Sequence, residues 1–295
     1  MKAPTPGTGQ VLVAVHTVGV NPVDLVLRQG QIMRPSLPAV PGLDISGTVL
    51  AVGEGVDPAL VGQRVAGLAD TGAYAEFALS HRFAVVPDQL SDAEAAALPT
   101  AVETADRILR ALNAAEGETL LIHGAYGSVG SVLTQLAIRR GLTVIGTTRR
   151  ENHEALRALG ATSISYKAPL AAQLKEQGIT GVDAAADAGS TSVLDQLIEL
   201  VESPQRVVSI VNFNAPAHGA QFSTGAGPVE GDDPFPAALG KALKAAARGD
   251  VVVRVAEPVD LTEARALHNR MENQRIEGKP LLQVAHRAGA PQHQK

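Results

Sequence analysis

Between residues 10 and 87 the chain carries short runs of β-branched and aliphatic residues that are interrupted by glycine and proline. Four such runs lie at residues 11–15, 45–52, 64–68 and 74–79. Short apolar strands separated by turn residues are typical of a β-barrel or a β-sandwich, and we expect one of these here. Between the first two runs, residues 23–29 can form one or two helical turns.

From Ser91 onward the pattern changes to longer helical periods that alternate with single apolar runs. Ser91 and Glu94 have the spacing of a capping box, which predicts the start of an alanine-rich helix. Apolar runs predict strands at 119–122, 143–147, 164–166, 182–185 and 206–211, and helical periods predict helices at 129–140 and 151–159. Strands and helices that alternate along a chain form a parallel, doubly wound sheet.

The last part of the chain mixes both kinds of element. Its pattern predicts strands at 221–223, 251–255 and 280–284, and helices at 235–248 and 261–275. We expect the polar residues after Ala285 to form a frayed end.

Composition and charge narrow the classes of function. Of the 295 residues, 45% are hydrophobic, enough for the cores of about two domains. A net charge of -5 argues against nucleic acid as a partner, because phosphate binding needs a basic surface. No apolar run approaches the roughly 18 residues of a membrane span, and the first residues lack the apolar core of a signal peptide. We therefore predict a soluble, cytoplasmic protein without a membrane partner.

The side chains that bind metals are few. The chain has no cysteine, which excludes disulfide bonds, a thiolate nucleophile and a zinc site with cysteine ligands. Its 8 histidines are scattered, with no close pair that suits a metal. We therefore predict no metal site.

The strongest motif is a glycine-rich turn between a predicted strand and a predicted helix. Gly124, Gly127 and Gly130 have a spacing that lets backbone N–H groups approach a pyrophosphate at the start of the helix. Such glycines can also simply pack a helix on a strand. Here the strand, the helix and the next strand follow in the order of a βαβ unit, which favours a dinucleotide site.

The residues that follow about 20 positions later indicate which dinucleotide binds. An acidic side chain there would bind the ribose 2′-hydroxyl of NAD, but this chain has Thr147, Thr148, Arg149 and Arg150. Guanidinium and hydroxyl groups suit a 2′-phosphate, so we predict NADPH as the cofactor. In the alternative, the arginines are solvated residues at a strand end and Glu151 pairs with one of them.

Several motifs occur in order along most of the chain, namely residues 19–24 (GVNPVD), 38–47 (PAVPGLDISG), 52–56 (VGEGV), 61–65 (VGQRV), 72–76 (GAYAE), 95–99 (AAALP) and the glycine-rich turn. With them the chain resembles the zinc-independent quinone oxidoreductases of the medium-chain dehydrogenase/reductase superfamily, and the related enoyl and alkenal reductases. The resemblance implies an α/β fold with a GroES-like β-barrel catalytic domain, expected at 1–97 and 241–295. It also implies a Rossmann domain with a doubly wound parallel sheet that binds NADPH, expected at 98–240, and a homodimer.

The resemblance bears on the predicted lack of metal. In zinc-dependent members of the superfamily a cysteine ligand stands at the position of Asn21, and a His-Glu pair stands at the positions of Leu43 and Asp44. Both ligand positions are lost in this chain.

The resemblance also implies which residues contact the cofactor and the substrate. Asn21 is expected near the nicotinamide and the substrate carbonyl, and Thr104 at the nicotinamide end. The pyrophosphate is expected at Gly124, Ala125, Tyr126, Gly127, Ser128, Val129 and Gly130. The 2′-phosphate is expected at Thr147, Thr148, Arg149, Arg150 and Tyr166. The adenine and the nicotinamide ribose are expected beside Asp187, Ala188, Ser209, Ile210 and Val211. Alternatively, Tyr166 is a half-buried strand tyrosine and Asp187 caps a strand.

The chain departs from the family pattern in three places. Tyrosines that many relatives carry near the Asn-Pro-x-Asp loop are replaced by Val26 and Ile32, so we predict no side-chain proton donor. Ser128 replaces a common glycine, which a small residue tolerates if its backbone conformation permits. The family has further residues before the first strand, so we expect a trimmed barrel or a missing start.

The expected chemistry follows from the lack of a metal. Reduction of a simple ketone would build an unshielded alkoxide, so an acceptor that delocalises charge suits the site better. We predict hydride transfer from NADPH to a small apolar quinone or to the C=C of an α,β-unsaturated carbonyl, with protonation from water. Asn21 would stabilise the developing enolate. Asp24 would be a second polar contact or, alternatively, a carboxylate that caps the turn after Pro22.

Two other functions stay open. One is a specialised enoyl reductase of secondary metabolism, which would turn over an enoyl thioester. The other is a non-catalytic protein that binds NADPH as a redox sensor or a structural protein. The missing tyrosines favour the second alternative, whereas the acidic charge disfavours RNA binding.

Overall fold

The computed structural model describes residues 3–31, 37–225, 232–274 and 276–285. Two compact units make up the chain. The discontinuous unit comprises Met1–Thr100 and Pro234–Lys295, and the continuous unit comprises Ala101–Asp233. These boundaries lie a few residues from those expected at residues 97 and 240. Each unit is described by itself below.

The strands are numbered along the described residues. They are β1 Val11–Gly19, β2 Asp44–Val52, β3 Arg64–Leu68, β4 Phe77–Ser80, β5 Arg82–Val85, β6 Thr119–His123, β7 Thr143–Thr148, β8 Thr162–Ser165, β9 Ala184–Asp187, β10 Val207–Ser209, β11 Gln221–Phe222, β12 Val259–Asp260 and β13 Leu281–Gln283. The α-helices are α1 Pro22–Arg28, α2 Asp92–Ala96, α3 Pro99–Ala111, α4 Ser128–Arg139, α5 His153–Ala158, α6 Leu170–Glu176, α7 Leu194–Ile198, α8 Phe235–Ala247 and α9 Ala264–Asn273.

The discontinuous unit is built on a seven-stranded sheet in which β1 is the strand with most partners. β1 pairs antiparallel with β2, and also with β4 and with β13. Val11, Val13 and Val15 are fully buried because their side chains point to one face of the strand, where they pack with residues that include Ile45 and Leu282. The sheet that begins with residues near the N-terminus is therefore completed by residues 281–283.

The continuous unit is a six-stranded sheet with the order β11-β10-β9-β6-β7-β8, and its neighbouring strands pair in parallel. Counted from β6, this is the 3-2-1-4-5-6 order of the dinucleotide-binding doubly wound sheet. Leu120, Leu121 and Ile122 in β6 are all fully buried, as expected for a strand covered on both faces. The strand order reverses between β6 and β9, which is where such sheets bind ligands. The predicted α/β fold class is confirmed.

Some predicted elements differ from the structure. The predicted strand at 251–255 does not form; Val255 makes an isolated bridge to Lys279, and although Val251 is buried, Val252 and Val255 are exposed. The helix that begins after Ser91 ends at Ala96, and a second begins at Pro99, because proline starts a helix readily but cannot continue one. The predicted helices at 151–159 and 261–275 each begin with a 3-10 turn.

Other differences concern strand ends. The strand β5 was not predicted, and Tyr166 lies just beyond the end of β8. Ile32 and the residues after Ala285 lie outside the described residues. Within the described part of the chain, no helix has the length and apolar character needed to cross a membrane.

The capping box of α2 gives a test of the fold. Ser91 Oγ accepts a hydrogen bond from the Glu94 backbone N–H at 3.2 Å, and the Ser91 backbone N–H donates to Glu94 Oε2 at 3.0 Å. Ser91→Ala removes the first acceptor, so we expect the free energy of unfolding, measured in urea, to fall by about 1 kcal/mol. The control is Thr8→Ala, which removes an exposed hydroxyl. Equal losses in the two variants would contradict a stabilising cap.

Candidate functional site

The glycine-rich turn joins the carboxyl end of β6 to the start of α4. Gly124 has a φ of +76°, and a Cβ on it would lie 2.7 Å from Gly189 Cα. A Cβ on Gly130 would collide with the Gly124 carbonyl oxygen. These glycines therefore allow the turn, the helix and the loop after β9 to pack closely.

Gly127 is the exposed glycine of the turn. It is the N-cap of the 12-residue helix α4, and a Cβ on it would make only an ordinary contact with the Gly124 carbonyl oxygen at 3.4 Å. Ser128 and Val129 open the helix, so their backbone N–H groups have no acceptor within it. Unpaired N–H groups at the start of a helix suit a phosphate. The turn, including the buried Ala125 and the half-buried Tyr126, therefore fits the pyrophosphate of a dinucleotide.

The residues at the end of β7 differ in exposure. Thr147 is fully buried: its Oγ1 accepts a hydrogen bond from the Gly124 backbone N–H at 3.2 Å and lies 2.8 Å from His123 Nδ1. Thr148 is buried, Arg149 is half-buried and Arg150 is exposed. Within the described residues, neither guanidinium forms a hydrogen bond or an ion pair. Thr147 thus holds the turn in place, whereas the two arginines are available to a ligand.

His123 is a buried residue of this site that the sequence analysis did not select. Its Nε2 lies 2.7 Å from the Thr191 carbonyl oxygen, and burial lowers its pKa, which favours the neutral ring. Tyr166 is half-buried and packs edge-on against this ring, with 6.1 Å between the ring centroids. The position of His123, directly before Gly124, is the signal that could have identified it.

Asp187 and Ser209 link the carboxyl ends of β9 and β10. Asp187 Oδ2 accepts hydrogen bonds from Ser192 Oγ at 2.7 Å and from Ser209 Oγ at 2.9 Å. Asp187 Oδ1 is buried and has no hydrogen-bond partner among the described residues. Ser209 Oγ also accepts from the backbone N–H of Asn212 at 2.9 Å. This arrangement favours the alternative in which Asp187 caps the end of a strand.

The other residues of the continuous unit that were predicted to bind the cofactor are held by backbone hydrogen bonds or lie on a helix. Ala188 N–H donates to the His123 carbonyl oxygen, and Ile210 N–H donates to the Asp187 carbonyl oxygen. Val211, the next residue, is 36% exposed. Thr104 lies on α3 and is buried. Apart from Thr104, the candidate residues of the continuous unit therefore lie at the carboxyl ends of its parallel strands or in the turns that follow them.

In the discontinuous unit, Asn21 belongs to a group that we call the amide cluster, formed by Asn21, Asp44, Thr100 and Lys279. Asn21 Nδ2 donates to Asp44 Oδ2 at 2.9 Å and lies 3.4 Å from Thr100 Oγ1. Lys279 Nζ donates to Asn21 Oδ1 at 2.5 Å and to Asp44 Oδ2 at 2.8 Å. Thr100 and Lys279 were not predicted as site residues, because no local spacing in the sequence connects Lys279 to Asn21.

Asp24 has a structural role and a raised pKa. Its Oδ2 accepts a hydrogen bond from the Asn21 backbone N–H at 2.8 Å, which is the capping contact of the alternative interpretation. Tyr74 Oη lies 3.5 Å from the same oxygen and 2.8 Å from His268 Nε2. Within the described part of the chain, Asp24 Oδ1 is buried and has no hydrogen-bond partner, and burial raises the pKa of this carboxyl to about 7. Tyr74 and His268 are further site residues that sequence analysis missed, although Tyr74 lies in the quoted GAYAE motif.

The part of the chain that the structure describes has no cluster of side chains that could bind a metal ion. It contains no group of three or more His, Cys, Asp or Glu side chains that could hold an ion.

Comparisons with known proteins agree with this architecture. The profile of the alcohol dehydrogenase GroES-like domain matches residues 7–88. Rat quinone oxidoreductase is 41% identical over 158 residues, which are 52% of this chain and 48% of the rat protein. The chain thus spans about half the length of the curated relatives that it matches.

Solved structures match over nearly the whole chain. An alcohol dehydrogenase superfamily protein from Novosphingobium aromaticivorans has a TM-score of 0.85 and 30% identity, with 97% of this chain and 94% of that chain covered. Quinone oxidoreductase from Escherichia coli, solved in complex with NADPH, has a TM-score of 0.82 and 25% identity, with 96% and 94% covered.

The chain combines a GroES-like unit with a doubly wound parallel sheet that carries a glycine-rich turn. These two features define the class of two-domain dehydrogenases and reductases. Within it, the chain belongs to the medium-chain dehydrogenase/reductase superfamily and is quinone oxidoreductase-like. The predicted resemblance is confirmed.

The raised pKa of Asp24 predicts how stability depends on pH. A pKa of about 7 in the folded protein against about 4 in the unfolded chain means that the native state keeps a proton that the unfolded chain releases. We therefore expect this carboxyl to lower the free energy of unfolding as pH rises from about 4 to about 7, by at most about 4 kcal/mol. Asp24→Asn should remove that loss, as measured by denaturant unfolding across this range.

The matched control for this prediction is Asp88→Asn, which removes an exposed carboxylate. If Asp24→Asn and the unmodified protein lose stability equally between these pH values, the buried carboxyl does not hold the proton.

Proposed function

We propose that this protein is an NADPH-dependent oxidoreductase that transfers hydride, without zinc, to a small apolar quinone or to the C=C of an α,β-unsaturated carbonyl. The observation that carries the proposal is the glycine-rich turn at the start of α4, with the exposed Gly127 as N-cap, together with the guanidinium groups of Arg149 and Arg150 after β7, which have no partner among the described residues. NADPH would supply the hydride when bound. The named relatives that are quinone oxidoreductases support the choice of acceptor.

The continuous unit would bind the cofactor through three kinds of group. Backbone N–H groups at the start of α4 would hold the pyrophosphate. Arg149 and Arg150 would bind the 2′-phosphate through charge-assisted hydrogen bonds, which are stronger than neutral ones. The hydroxyls of Thr147 and Ser209 would act indirectly, because they already hold Gly124 and Asp187 in place.

In the discontinuous unit, Asn21 would bind the oxygen of the acceptor. One hydrogen of its Nδ2 is committed to Asp44 at 2.9 Å, whereas the contact of Nδ2 with Thr100 is long, at 3.4 Å. The more weakly engaged N–H can therefore donate to an oxygen that gains negative charge during reduction. Asp24 would keep the loop in shape as a cap, and water would supply the proton.

Two further statements rest on the family alone. We propose that the protein is a homodimer and that it is cytoplasmic. Size-exclusion chromatography with light scattering would test the first statement.

Cofactor selectivity can be tested at the end of β7. Arg149→Ala and Arg150→Ala each remove one guanidinium group, and we expect the Kd for NADPH to rise by about tenfold or more in each variant, while the Kd for NADH changes little. Arg157→Ala, which removes an exposed arginine of α5, is the control. Equal losses for NADPH and NADH would contradict the 2′-phosphate assignment.

The reaction can be tested by following the absorbance of NADPH with a small quinone, an enone and an enoyl thioester as acceptors. We expect oxidation of NADPH that depends on the quinone or the enone. Turnover of the enoyl thioester alone would favour a specialised enoyl reductase. Tight NADPH binding without oxidation by any acceptor would contradict hydride transfer and favour a sensor or structural protein.

A further inference from the structure

The carboxamide of Asn21 is held at both ends by a buried ion pair. Lys279 Nζ donates to its oxygen at 2.5 Å, and its nitrogen donates to Asp44 Oδ2 at 2.9 Å. An ammonium group has only donors and a carboxylate only acceptors. A flipped amide would place N–H groups against the ammonium and an oxygen against the carboxylate. The ion pair therefore permits one orientation of the amide.

Burial makes this constraint strong. The exposed fractions are 4% for Asn21, 0% for Asp44 and 2% for Lys279, so little water competes for these groups. A buried ion pair gains little stability over apolar residues of the same volume, because both charges must be desolvated. Stability alone is therefore a poor explanation for placing two charges here.

Thr100 fixes the remaining oxygen of the carboxylate. Asp44 Oδ1 accepts hydrogen bonds from the Thr100 backbone N–H at 2.8 Å and from Thr100 Oγ1 at 2.5 Å. Because the Thr100 hydroxyl hydrogen is used on Asp44, the hydroxyl can only accept from Asn21, and that contact is long at 3.4 Å. The amide cluster thus fixes the carboxamide while leaving one of its N–H groups weakly bound.

We propose that Lys279 is a positioning residue, which together with Asp44 orients and polarises the Asn21 carboxamide so that its weakly bound N–H donates to the oxygen of the hydride acceptor. This inference rests on the proposed function of Asn21. The ammonium draws electron density toward Asn21 Oδ1, which makes the N–H groups better donors.

A variant with both charges removed gives the sharpest test. Lys279→Met alone leaves Asp44 as an unpaired buried charge and can prevent folding. The double variant Asp44→Asn/Lys279→Met removes both charges together. We expect it to bind NADPH as the unmodified protein does and to keep its KM within about threefold, while kcat falls by about 100-fold. Lys241→Met, which removes an exposed lysine of α8, is the control. An unchanged kcat in the folded double variant would overturn the proposal.

A second comparison separates positioning from general damage. If Lys279 and Asp44 act through Asn21, their double substitution costs little further activity in an Asn21→Ala background. If the double substitution lowers kcat by the same factor in the Asn21→Ala background as in the unmodified protein, the residues act independently of Asn21 and the proposal is overturned.

A measurement that does not depend on activity keeps the two proposals distinguishable. The side-chain amide signal of Asn21, assigned in NMR spectra by its loss in Asn21→Ala, should exchange with solvent at least about tenfold more slowly than that of the exposed Asn269. In Lys279→Arg, which keeps the charge, the signal should stay protected. Exchange as fast as that of Asn269 in the unmodified protein would overturn the positioning of Asn21. If the signal is protected but the protein oxidises NADPH with none of the tested acceptors, the proposed function is overturned instead. The role of Lys279 in catalysis through Asn21 then falls with it.

Discussion

The buried ion pair between Asp44 and Lys279 is the interaction that links the two segments of the discontinuous unit and orients the side chains of the amide cluster. Asp44 is the first residue of β2, and Lys279 lies just before β13, so the pair joins the two segments of this unit. Removing either partner would leave a buried charge without compensation, at a cost of about 3–5 kcal/mol. The backbone makes room for the pair at Gly19, where a Cβ would lie 2.9 Å from Asp44 Cβ and 3.0 Å from Lys279 Cε. The Ala96 carbonyl oxygen would lie still closer, so the glycine at the end of β1 is required by this backbone approach as well as by the two charged side chains.

The continuous unit relies on a different constraint, the common direction of its strands. Parallel strands deliver the chain to the same edge of the sheet, and polar contacts then tie neighbouring strand ends together. His123 and Thr147 connect β6 with β7, and Asp187 and Ser209 connect β9 with β10. Backbone groups that would contact a cofactor are therefore supported by buried side chains, which limits their freedom before any ligand binds.

Sequence patterns predicted the structural features that depend on residues close together in the chain. The capping box, the glycine-rich turn and the alternation of strands with helices were visible because each depends on residues close in sequence. The predicted strand at 251–255 is wrong because an apolar run forms a strand only when a partner strand pairs with it, and this run makes one isolated bridge. Among the site residues, Asn21 and Asp24 were found through a short motif. Lys279 was missed because 258 positions separate it from Asn21, and no periodicity spans that distance.

The discontinuous unit consists of two separate stretches of sequence, and this affects how the newly made chain folds. A ribosome releases residues 101–233 as one segment, so that unit can fold while the rest is still being synthesised. Until residues 279–283 emerge, however, β1 lacks its partner at Thr17–Gly19 and Asp44 lacks its counter-charge. The last residues of the sheet thus close a strand edge that would otherwise be exposed to pairing with other chains. Delays late in translation should therefore endanger residues 1–100, the segment that is made first.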